Sequence, residues 1–83
     1  MSGDTIKFSL SKKHEAEIKE SITLVYNALS EKGYNAVNQL VGYILSEDPT
    51  YITTYQNARN IISSIDRDEL LQAMFKDYLA ISE

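Results

Sequence analysis

Cysteine and tryptophan are absent from this chain, and histidine and proline occur once each. Without cysteine there is no disulfide staple, no thiolate nucleophile and no Cys-based metal site. A single His14 cannot assemble a histidine-rich metal centre. The three glycines, Gly3, Gly33 and Gly42, are scattered, so no glycine-rich loop is present to cradle a phosphate. Basic residues are also short: 8 against 12 acidic ones, a formal net charge of -4. That balance disfavours a nucleic-acid backbone or an anionic membrane surface as partner, because both need a basic stripe. No apolar run is long enough to span a bilayer, so membrane insertion is not expected. The first residues lack a secretory signal pattern, with Asp4 early and no apolar stretch behind it, and the expected location is the cytoplasm.

With 83 residues the chain makes one domain. At this size apolar burial barely offsets about 1.5 kcal/mol of ordering entropy per residue. With no disulfide or metal available, oligomerisation is the natural remaining source of stability, and a homodimer is expected.

The fold class read from the pattern is all-α, a compact bundle of four main short helices with an extended N-terminal arm. Residues 1–12 form the arm and 13–83 the helical domain. In the arm Ile6, Phe8 and Leu10 alternate with Lys7 and Ser9, the period of an extended segment. Ser11 is placed to cap a first helix over 12–32, whose stripe is Ile18, Ile22, Val25, Tyr26 and Leu29 and which Gly33 stops. The second helix has Asn35 as its cap and ends near Leu45 or Ser46. Val37, Leu40, Val41, Ile44 and Leu45 recur along it at helical spacing, with Tyr43 beside them. This most apolar stretch is expected to be the buried centre on which the rest packs, with enough surplus to build a dimer interface. Asp48-Pro49 predicts a single turn through Tyr51 and Ile52. Thr53-Thr54 supplies the next cap, and Tyr55, Ala58, Ile61, Ile62 and Ile65 make a third stripe. Asp66 and Glu69 have the spacing of a reciprocal capping box. Leu70, Leu71, Met74, Phe75, Tyr78 and Leu79 complete the last helix.

Catalytic chemistry finds little support. His14 reads as a solvated surface residue, and Glu47, Asp48, Asp66, Asp68 and Glu69 are explained by helix starts rather than by acid–base pairing. No enzyme and no cofactor are expected. A second reading is a small helix-turn-helix-like DNA-binding regulator, with Gln56-Asn57-Ala58-Arg59-Asn60 presenting polar side chains to base edges. Arg59 is the sole base in that segment, which leaves little counterion release to drive binding. The six tyrosines suit the rim of a core or interface, where the ring is dry and the hydroxyl wet. Gly42, inside a helix, is expected to permit a close helix crossing. Thr5 is a hydroxyl in the arm to which phosphorylation would add about -1.5 to -2 of charge.

The run Glu31-Lys32-Gly33-Tyr34-Asn35, then Asn38-Gln39-Leu40-Val41-Gly42-Tyr43-Ile44-Leu45-Ser46 and Asp48-Pro49-Thr50-Tyr51-Ile52, resembles the IreB family. So do Ala58-Arg59-Asn60, Arg67-Asp68-Glu69-Leu70 and the opening Asp4-Thr5-Ile6-Lys7-Phe8, and the resemblance covers nearly the whole chain in order. The departures are Ala36-Val37 in place of Pro-Ile, Thr53 in place of a proline, and Ser63-Ser64 where basic residues are frequent. The resemblance implies a helical homodimer and a non-enzymatic regulatory phosphoprotein of low-GC Gram-positive bacteria. It implies phosphorylation by a transmembrane Ser/Thr kinase with PASTA repeats and reversal by a PP2C-type phosphatase. It also implies negative regulation of the cell-envelope stress response and of cephalosporin resistance through a downstream protein. It places the acceptor hydroxyl on Thr5, with the family's second acceptor position falling on Ser2. The dimer and core positions expected here are Val37, Leu40, Val41, Tyr43, Ile44 and Leu45.

Overall fold

The computed structural model describes residues 11–81. Four α-helices follow one another: α1 (Lys12–Glu31), α2 (Ala36–Ser46), α3 (Ala58–Ser63) and α4 (Arg67–Leu79). Two 3₁₀ turns, Pro49–Tyr51 and Tyr55–Asn57, lie between α2 and α3, and no strand occurs among the described residues. The expected arm falls outside the described residues except for Ser11 and Lys12, which are the cap and the first residue of α1.

Helix ends follow from local chemistry. Ser11 Oγ accepts the His14 amide at 3.0 Å, and Asn35 Oδ1 accepts the Asn38 amide at 3.1 Å. Asp66 Oδ1 accepts the Asp68 amide at 2.9 Å. Gly33 closes α1 with φ +85, its amide donating to Ser30 and that of Tyr34 to Leu29, both at 3.0 Å. This is a Schellman stop, and it needs the positive φ that glycine adopts freely. At the Asp48-Pro49 turn, Asp48 Oδ1 accepts from both the amide and the hydroxyl of Thr50. Those two bonds favour the ionised carboxylate and hold Asp48 below the usual carboxylate range.

The centre of the fold differs from the expectation. α1, not α2, is the element against which α2, α3, α4 and the Tyr55–Asn57 turn all pack. Val25, Ala28 and Leu29 of α1 join Ala36, Ile52, Ala58 and Ile62 in one buried cluster. Ala28 and Ala58 are small enough to let their helices approach, which apolar spacing alone does not reveal. On α2 the expected stripe divides: Leu40 and Tyr43 pack on the core and Ile44 is half-buried, whereas Val37, Val41 and Leu45 are 59%, 50% and 81% exposed. Those last three are therefore not core residues of the single chain. α2 is short and apolar around most of its circumference, and one neighbouring helix covers only one side of it. Tyr26, expected on the α1 stripe, is likewise exposed.

Two local expectations are also corrected. The third stripe is not one continuous helix from Tyr55, because Gln56 (φ 55) and Asn57 (φ 64) are left-handed and break it before α3. Glu69 does not reach back to cap α4; it crosses to His14 on α1.

Candidate interaction surfaces

Several polar side chains form joints between elements. Arg67, at the first position of α4, donates through Nη1 to the Ile44 carbonyl at 2.6 Å and pairs through Nη2 with Glu47. It thereby serves the carbonyl end of α2, where a cation meets the negative pole of the helix. Glu47 itself closes α2 in the left-handed region. Gln39 Nε2 donates to the Tyr51 carbonyl at 2.9 Å, and Arg59 Nε donates to the Ile52 carbonyl at 2.8 Å. These two bonds hold the segment between α2 and α3 so that Ile52 enters the core fully buried. Tyr55 donates its hydroxyl to Glu31 at 2.8 Å, with Lys32 Nζ 5.1 Å from the ring centroid.

α4 is joined to α1 mainly by charge. Lys76 pairs with Glu15, and Lys19 Nζ lies 3.5 Å from Asp77. His14 Nε2 lies 2.7 Å from Glu69 Oε1, and Nδ1 lies 3.6 Å from Glu17. The hydrogen bond to Glu69 raises the His14 pKa above its ordinary value, against a smaller desolvation effect, and Glu17 adds in the same direction. His14 is thus an engaged residue rather than the freely solvated one expected. Leu70 is the one residue of α4 buried in this structure.

Glycine 42 has a specific neighbour. A Cβ built there would lie 2.4 Å from Cε1 of the Tyr51 ring, so the ring occupies the space a side chain would take. The helix crossing expected at this position is not what the structure shows: the space is taken by an aromatic ring from the Pro49–Tyr51 turn.

Of the expected functional residues, Thr5 and Ser2 lie outside the described residues. Val37, Val41 and Leu45 share one exposed side of α2, while Leu40, Tyr43 and Ile44 lie toward the body. A second apolar exposure follows α4, where Met74, Phe75, Tyr78 and Leu79 are 50–86% exposed. The Gln56–Asn60 segment is engaged internally: Arg59 holds the Ile52 carbonyl, Asn60 Nδ2 donates to Asn57 Oδ1 at 2.9 Å, and α3 has six residues. No cluster of His, Cys, Asp or Glu suited to a metal occurs among the described residues. No described helix is long and apolar enough to cross a membrane.

Fold and surface together define a small all-helical domain that presents apolar faces and ion-paired joints. The family model described as IreB regulatory phosphoprotein matches residues 3–80. A UPF0297 protein of Ruminiclostridium cellulolyticum is 54% identical over 76 residues, covering 92% of this chain and 86% of that protein. The chain belongs to the IreB family of regulatory phosphoproteins.

Proposed function

We propose that this chain is a non-enzymatic, homodimeric regulatory protein of the cytoplasm, switched by phosphorylation of Thr5. The observation that carries this reading is the family match, which spans residues 3–80 and so takes in Thr5. Ser2 stands just outside that span and is the second acceptor. The acting enzymes are a PASTA-type transmembrane Ser/Thr kinase and a PP2C-type phosphatase. The regulated process is the cell-envelope stress response, with negative control of cephalosporin resistance through a downstream protein. The outer side of α2, with Val37, Val41 and Leu45 exposed, supports a contact between copies, because burying such a side is favourable at about 25 cal/mol per Å².

The test is to incubate the full chain with the kinase domain of a PASTA-type kinase and map phosphate by mass spectrometry. Phosphate is expected on Thr5, removable by a PP2C-type phosphatase and lost in Thr5→Ala. Its absence from residues 1–12 contradicts the reading. For the dimer, light scattering at tens of micromolar should give twice the chain mass, falling to the monomer in Leu45→Glu; a monomeric unmodified chain overturns it.

A further inference from the structure

The chain has no cysteine, so its sulfur is confined to Met1 and Met74, of which Met74 lies among the described residues. Met74 lines a groove of about 680 Å³ between α1 and α4. Ile18 and Ile22 of α1 line the same groove, with Leu70 one turn before Met74 and Ile81 beyond the end of α4. Met74 is 50% exposed, so a small oxidant in solution reaches a side chain that still packs at the joint. That joint is lightly held. Leu70 is the one buried residue of α4, and the Lys76–Glu15 and Lys19–Asp77 pairs line the groove beside it.

We propose that Met74 is a reversible oxidation site, and that sulfoxide formation there loosens α4 from α1. The oxidant is a peroxide, with hydrogen peroxide the simplest. The thioether sulfur attacks one peroxide oxygen, the O–O bond breaks and the sulfoxide S–O bond forms. Sulfur gives up two electrons, and the other oxygen leaves as water carrying both peroxide hydrogens. Reversal is by a methionine sulfoxide reductase, in which two thiols become a disulfide and the sulfoxide oxygen leaves as water. The physical effect follows from the change of polarity. A thioether fills an apolar joint well, whereas a sulfoxide is polar and needs hydrogen-bond donors around its oxygen. Ile18, Ile22, Leu70 and Ile81 supply none from their side chains, so the oxygen is better solvated when α4 moves away from α1. Against that movement stand Leu70, the ion pairs to α1 and the Arg67 contacts to α2. No part of this involves Thr5, and it stands or falls apart from the phosphorylation reading.

The test treats the full, unphosphorylated chain with dilute hydrogen peroxide and locates the added oxygen by peptide mass spectrometry. Met74 should oxidise at a rate close to that in the denaturant-unfolded chain. A sulfur that reacts only as fast as the whole chain unfolds overturns the proposal. Hydrogen exchange at Leu71–Lys76 is then compared before and after oxidation, with protected amides at Val25–Leu29 establishing that the chain is folded. Exchange in α4 should rise about fivefold, the ratio expected when one half-buried apolar side chain loses its favourable burial. The faster exchange should keep a denaturant slope below that of global unfolding. A methionine sulfoxide reductase with a thiol reductant should restore the original rates. Met74→Leu should exchange slowly even after peroxide, although Met1 can still be oxidised, and Met74→Gln should exchange fast without it. Unchanged α4 exchange after complete oxidation of Met74 overturns the proposal. So does a rise that survives Met74→Leu, or one whose denaturant slope equals that of global unfolding.

Discussion

Two halves of this small domain are held by different physics. Around Val25, Ala28, Leu29, Ile52, Ala58 and Ile62 the chain excludes water, and the side chains of Val25, Leu29, Ile52 and Ile62 are fully buried. α4 is attached instead by Leu70, by ion pairs to α1, and by Arg67 reaching α2. Lys19–Asp77 is exposed and such pairs contribute about 0–1 kcal/mol, while Lys76–Glu15 and His14–Glu69 are partly buried and offset more of their gain by desolvation; a buried leucine is worth several times an exposed pair. The first half is therefore the stable unit, and α4 is the part that yields first.

The sharpest way to break this contrast is in the buried half. Leu29→Ala leaves a cavity in the buried cluster and should cost about 3 kcal/mol, with global loss of helix signal in thermal unfolding. Leu70→Ala should cost about 2 kcal/mol, and the loss should begin with α4, whose amides exchange early while Val25 and Leu29 stay protected.

Arg67→Ala separates the joint from the core. It removes a charged donor from the Ile44 carbonyl and the partner of Glu47, and partial exposure limits the cost to about 1 kcal/mol. Gly42→Ala sets two effects against each other. Alanine favours the helix by about 1 kcal/mol, but its Cβ displaces the Tyr51 ring, and a net loss of about 1 kcal/mol is expected. In a Tyr51→Ala background the same substitution should stabilise, and a denaturant double-mutant cycle reads the change of sign.

The smallest expected effect depends on pH. Glu69 raises the His14 pKa, so the folded state binds the proton more tightly than the unfolded one. The resulting contribution is fully present below the ordinary histidine value of about 6.5 and is lost as pH rises through the raised value. α4 should open more readily at pH 8 than at pH 6, and His14→Gln should remove that dependence in exchange measured at both pH values.

Much of this architecture is legible in the chain, and the reasons are local. Ser11, Asn35, Asp48 and Asp66 act as caps because an oxygen two or three bonds from Cα can reach only the next few amides. Gly33 stops α1 for an equally local reason. What local pattern does not contain is which side of an apolar helix meets its own chain, so Val41 and Leu45 read as centre although they lie outside. Nor does it contain the long-range ties. Glu69 has the spacing of a cap, yet His14, 55 residues earlier, is its partner. The left-handed pair Gln56-Asn57 is equally hidden, because no glycine marks it. The acceptor hydroxyl, Thr5, is legible through the family resemblance, and phosphate mapping tests it.

The claim that binds these points is that α4 opens as a unit separate from the buried half. Native-state hydrogen exchange in low denaturant tests it directly, by comparing the opening free energies of Leu71–Lys76 amides with those of Val25–Leu29. The account predicts a lower value for α4, with a denaturant slope smaller than that of global unfolding but not zero, and the full unfolding free energy for α1. One common value and one common denaturant slope for both sets would contradict it.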